Sequence, residues 1–97
     1  MMKITTHNDN EGTTLELEGS LSGEWVKEVL DCWDRATLMG KQKHIRIDLT
    51  GTTFIDGAGK RLLAMIYRAG AEFIAVDPMT KAIVEEISRC ELTEQTF

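Results

Sequence analysis

At 97 residues, with 42% hydrophobic and 28% charged residues, the chain is long enough for one core and too short for two. Its net charge of -5 opposes a phosphate backbone, because nonspecific nucleic-acid affinity comes from Lys and Arg displacing counterions; this excludes nucleic acid as a partner. No apolar run is long enough to span a bilayer and Met1–Asn10 holds no signal-peptide core, which predicts a cytoplasmic protein with no direct membrane insertion. Cys32 and Cys90 are too few for a disulfide framework and both fall in helical patterns, so reduced thiols are expected. With Pro78 the sole proline and no linker or repeat, residues 1–97 are expected to form one domain.

Lys3–His7 reads as a first strand, and Asn8, Asp9, Asn10 and Gly12 supply the turn of a hairpin into Thr13–Glu18, where Leu15 and Leu17 alternate with Glu16 and Glu18. The period then changes. Trp25, Val29 and Trp33 recur every four residues beside Val26, Leu30 and Thr37, which predicts an amphipathic helix. Ser22 is its cap and Gly40 with Lys41 and Lys43 its stop. Ile45, Ile47 and Leu49 alternate with His44, Arg46 and Asp48 as a strand buried on one face. Ala58, Leu62, Met65, Ile66 and Ala69 form the inner stripe of a second helix ended by Gly70. Phe73–Val76 reads as a fourth strand. Asp77-Pro78 caps and opens a third helix with Met79, Ile83, Val84, Ile87 and Cys90 on its inner face. Glu91–Phe97 is too short for another helix, and Thr93–Phe97 is the candidate for a short extra strand.

The order β-β-α-β-α-β-α calls for an antiparallel hairpin followed by two parallel crossover units, whose common handedness puts the helices on one face of the sheet. The charged alternate positions of the second and third strands agree, since a sheet covered on both faces would not tolerate them.

Three segments, met in order, point to a family. They are Leu17-Glu18-Gly19-Ser20-Leu21; Ile47-Asp48-Leu49-Thr50-Gly51 with Phe54-Ile55-Asp56; and Gly70-Ala71-Glu72 through Pro78. Together they resemble the STAS domain of sulfate transporters and anti-sigma factor antagonists, over nearly the whole chain. The resemblance implies the STAS-like (SpoIIAA-like) α/β fold, a mixed four- to five-stranded sheet with helices on one face. The family's regulatory site is an Asp-Ser-Ser/Thr-Gly sequence at the start of the second helix, where a partner kinase phosphorylates a hydroxyl. Here Asp56 and Gly59 keep their places, while Gly57 and Ala58 hold the hydroxyl positions and offer nothing to modify. Lys60-Arg61 also departs from the small or apolar residues usual there, and the C-terminus is too short for the family's last helix.

Read for chemistry, Asp56 is an N-cap, while Gly57 and Gly59 permit a tight strand-to-helix turn that leaves backbone donors open to an anion or a partner's carboxylate. Lys60 and Arg61 put positive charge where the helix dipole disfavours it, which leaves two readings, an ordinary solvated surface pair and a binding role. Gly57-Ala58-Gly59-Lys60 is no phosphate loop, because Phe54 and Arg61 stand where its first glycine and its Ser or Thr belong. Trp33 is a core residue, and Trp25, near a helix start, is partly available to a partner. His7 and His44 have no zinc-ligand spacing to the cysteines. No catalytic constellation, cofactor or metal site is expected, and the protein is not expected to be an enzyme.

The leading expectation is a protein-interaction module of the anti-sigma factor antagonist type, in bacterial signalling or transcription regulation. It would contact an anti-sigma factor or kinase-like signalling protein through Asp56, Gly57, Ala58, Gly59, Lys60, Arg61 and Trp25. A second reading is a cytoplasmic STAS accessory subunit of a lipid or anion transporter, held by the transporter ATPase. A third is a module binding a nucleotide or lipid at the second-helix start.

Overall fold

The computed structural model describes residues 2–39 and 44–94. Its elements are β1 (Met2–Asp9), β2 (Gly12–Leu21), α1 (Trp25–Met39), β3 (His44–Asp48), β4 (Thr52–Ile55), α2 (Gly57–Arg68), β5 (Glu72–Ile74) and α3 (Pro78–Glu94). β1 and β2 form an antiparallel hairpin with unbroken register from Met2↔Gly19 to Asp9↔Gly12. The Asp9 carboxylate fixes its turn, accepting from the backbone N–H of Glu11 at 2.8 Å and of Gly12 at 2.9 Å. β2 then pairs in parallel with β3, and β3 with β5, so the sheet runs β1-β2-β3-β5 with β4 paired to β2.

Strand alternation separates the faces. Leu15, Leu17, Ile47 and Leu49 are fully buried and meet Val29, Trp33, Leu62, Leu63, Ile66, Ile83 and Ile87 from the three helices in a single core. The alternate positions carry polar side chains. Glu16 lies 3.9 Å from His7, Glu72 lies 3.9 Å from His44, and Arg46 reaches Glu11 at 3.2 Å. The helices therefore occupy one face of the sheet, as the charge alternation predicts.

The expected fifth strand is not where the sequence places it. α3 continues through Thr93 and Glu94, so these two residues are helical, and residues 95–97 lie outside those described. Glu91, Leu92 and Glu94 are compatible with continued helix, and no breaker follows Cys90. The fifth strand is β4. Asp48 Oδ1 accepts from Thr50 N at 2.9 Å and Leu49 O accepts from Thr52 N at 3.0 Å, a turn that interrupts the chain after β3. Beyond it the chain pairs again with β2, from Gly19↔Thr52 to Leu21↔Ile55, past a register shift at Gly19/Ser20. The buried Thr52 hydroxyl donates to Leu17 O at 2.8 Å and anchors the resumed strand. β5 is also shorter than expected: Ala75 and Val76 lie beyond it.

Two side-chain expectations change as well. The buried face of α2 is Gly59, Leu62, Leu63 and Ile66, whereas Met65 and Ala69 are exposed. At the start of α1 it is the Ser22 carbonyl, accepting from Trp25 N at 3.1 Å, that begins the turn. Gly40, Lys41 and Lys43, read as its stop, lie outside the described residues, as does the Cys90 side chain. Trp33 is in the core, and Trp25 is partly buried against it.

Candidate functional site

The β4–α2 junction is built around Asp56, every polar group of which is engaged. Its N–H donates to Leu21 O at 3.1 Å, and its carbonyl accepts from Lys60 N at 2.9 Å, the first bond of α2. Oδ1 accepts from Gly59 N at 2.7 Å, and Oδ2 accepts from Gly23 N at 3.1 Å. The expected cap is thus present, with an addition: the same carboxylate ties the β2–α1 loop to the helix start. The N–H of Gly59, then that of Gly23, holds its carboxyl below the usual Asp range, with the Arg61 charge adding to them. Gly23 has φ of 57°, a left-handed conformation that suits glycine and turns its N–H toward Asp56.

Gly57 and Gly59 differ in kind. A Cβ at Gly59 would lie 2.7 Å from Leu21 O and 3.0 Å from both Leu21 Cγ and Ile55 Cγ2, so glycine is what lets α2 start against the end of β2. Gly59 is buried and its N–H belongs to Asp56; it offers no open donor. A Cβ at Gly57 would meet nothing nearer than Arg61 Nη1 at 3.9 Å. Gly57 faces solvent, and no steric demand explains its lack of a side chain.

Lys60 and Arg61 also part company. Lys60 Nζ lies 3.4 and 3.5 Å from the two Glu86 carboxylate oxygens and joins α2 to α3. Arg61 is exposed one turn above Gly57. Met65, 43% exposed, stands one turn further on. Gly57, Arg61 and Met65 line one side of a groove of about 480 Å³, with Glu86 and Ile87 of α3 opposite. Met65 and the α3 residues are the part of this surface that sequence reading missed. The signal was available in the spacing Gly57, Arg61, Met65, one helical turn apart each time and on the side opposite Gly59, Leu62, Leu63 and Ile66. Trp25 opens α1 two residues after Gly23, whose N–H the Asp56 carboxylate holds, and its side chain is partly buried against the core.

Neither a protein-family model nor a curated protein matches the sequence. Solved structures do match the fold. The anti-sigma factor antagonist SpoIIAA in its unphosphorylated form aligns over 86% of this chain and 82% of its own, with a TM-score of 0.66 and 16% identity. Two structures of Mglu, one of them in its native form, align over 76% and 75% of this chain, with TM-scores of 0.57 and 0.56 and identities of 23% and 20%. This chain spans only 19% and 22% of their length. At these identities the likeness is one of architecture, and it agrees with the strand order and helix placement above: the chain has the mixed α/β fold seen in SpoIIAA.

Proposed function

We propose that residues 1–97 form one cytoplasmic protein-interaction module of the anti-sigma factor antagonist type. It acts in bacterial signalling or transcription regulation, without catalysis and without a phosphorylation switch at the α2 start. The partner is a regulatory protein such as an anti-sigma factor or kinase-like signalling protein. The observation that carries this reading is the pinned, exposed start of α2: Asp56 fixes the helix and the Gly23 loop together, and Arg61 and Met65 project from that rigid base. A surface held this firmly loses little freedom on docking, and an arginine beside a methionine suits a partner that presents carboxylates next to apolar side chains. The fold likeness to an anti-sigma factor antagonist supports the class of partner.

Of the expected contact residues, Arg61 is the one to change. Lys60→Glu would set a carboxylate against Glu86 and disturb α2–α3 packing, so it cannot report on binding alone. A partner recovered by pull-down from soluble extract and titrated against Arg61→Glu should bind roughly tenfold more weakly or worse, with an unchanged thermal melt. Equal affinity for the variant and the parent chain would refute the placement.

A further inference from the structure

Among the described residues the strand order runs from β1 at one end to β5 at the other, and these two ends are unlike. β5 ends the sheet with three residues, too short to template another strand. β1 is eight residues long, holds unbroken register with β2, and contains neither proline nor bulge. The direction of its backbone groups follows from β2. Leu17 O accepts from Thr52 and Gly19 N donates to Gly51, both away from β1. Leu17 and Gly19 lie opposite Ile4 and Met2. In an antiparallel ladder such partners face away from one another, so Met2, Ile4, Thr6 and Asn8 turn their N–H and C=O groups out from the sheet.

We propose that this edge is a self-association site, at which β1 pairs antiparallel with β1 of a second copy about a two-fold axis at Thr6. The symmetry makes the pairing self-complementary. Thr6 pairs with its counterpart and Ile4 with Asn8, which uses outward-facing groups on both copies. The same register sets Lys3 opposite Asp9 at both ends, an opposite-charge pair at each, and this is why a second copy fits the edge better than an arbitrary strand. Paired residues point to the same side of a sheet, so both helical layers fall on one face. α1 packs on β2. Across the seam the two β2 strands are three strand spacings apart, roughly 14 Å. Helices in contact need about 8–10 Å, so the two α1 helices do not collide.

The test is sedimentation velocity on the untagged 97-residue chain from micromolar to millimolar concentration, with hydrogen exchange followed at both ends of that range. A concentration-dependent dimer is expected, with the Ile4, Thr6 and Asn8 amides gaining protection as it forms. Thr6→Pro removes an outward donor at an edge position that tolerates proline, and Lys3→Glu sets like charges opposite Asp9. Each should raise the dissociation constant, the proline roughly tenfold or more. If Thr6→Pro fails to fold, Lys3→Glu and the amide pattern still decide. A chain that stays monomeric throughout, or a dimer that forms equally well in the folded variants, overturns the proposal. Partner binding at Arg61 is on another element and is measured separately.

Discussion

Two helices of this molecule begin with the same device and put it to different use. Asp56 and Asp77 each precede a helix and accept from the backbone N–H three residues on, at 2.7 Å from Gly59 and 3.3 Å from Thr80. The difference lies in what else each carboxylate holds. Asp77 spends its other oxygen on the hydroxyl of that same Thr80, at 2.6 Å, and Thr80 is fully buried. Asp56 extends its other oxygen across 33 residues of sequence to Gly23. The first residue inside each helix differs in the same sense: Pro78 fixes its own backbone, while Gly57 leaves space. A capping aspartate does not mark a site. A capping aspartate that also pins a second loop, next to an open position and an exposed arginine, marks a rigid surface.

The largest effect should come from breaking the packing beneath that surface. Gly59→Ala forces a methyl to within 2.7 Å of the Leu21 carbonyl, which is backbone and cannot swing aside. Overpacking of this kind costs about 1–3 kcal/mol, and urea denaturation should show a midpoint lowered accordingly. An unaltered midpoint would mean that α2 can shift away from β2, and that the junction is less firmly held than its hydrogen bonds suggest.

Replacing each aspartate by asparagine sharpens the contrast at smaller cost. An asparagine keeps one acceptor oxygen and turns the other into a donor, so it can still cap but cannot make both bonds. At Asp56 the bond to Gly23 is lost, and exchange of the Gly23 amide should accelerate. At Asp77 the changed bonds all belong to Thr80, and no distant amide should respond. Acid titration separates the charge from the geometry. Both carboxyls are held below the usual Asp range, Asp56 first by the Gly59 N–H and Asp77 first by the Thr80 hydroxyl. Their contribution is complete above the unfolded value of about 3.9 and is lost as pH falls through the lower folded values. Stability measured against pH below 4 should fall less steeply in either asparagine variant, and least steeply in the double variant. An identical acid limb in parent and variants would show that neither carboxylate is linked to folding.

How much of this was legible depended on how far apart the interacting residues lie. The alternation of Leu15 and Leu17, and of Ile45, Ile47 and Leu49, fixed two central strands and their inner faces, because period-two burial is local. Asp77-Pro78 and Asp56 were recognisable as helix starts for the same reason. β4 was not, since its burial does not alternate and its existence rests on pairing with Gly19–Leu21, more than thirty positions earlier. The end of α3 was set too early at Cys90. The assignment of Met65 to the core followed from taking Ala58 rather than Gly59 as the first inner position, and a glycine without a side chain gives no apolar signal. Lys60 with Glu86 and Asp56 with Gly23 are long-range partners that no periodicity reveals.

The smallest effect on stability, and the one most informative about the site, is expected at Gly57. A serine there finds open space, with only Arg61 Nη1 within 4 Å of its Cβ. Its backbone needs no left-handed conformation, and replacing glycine reduces the freedom of the unfolded chain, which by analogy with Gly→Ala is worth about 0.4–1 kcal/mol. Gly57→Ser should therefore melt at or slightly above the parent temperature, in contrast to Gly59→Ser, which meets the same obstruction as Gly59→Ala. The introduced hydroxyl stands at a helix N-terminus beside an arginine, where a phosphoryl group would be favoured by the dipole and by Arg61 and opposed by the neighbouring Asp56 carboxylate. Gly57→Asp places negative charge at the same point without a kinase. If the α2 start is the docking surface, Gly57→Asp should weaken partner binding through its charge at Arg61, while Gly57→Ser leaves it nearly unchanged. Equal binding by both variants, each with a parent-like melt, would move the partner away from this end of α2.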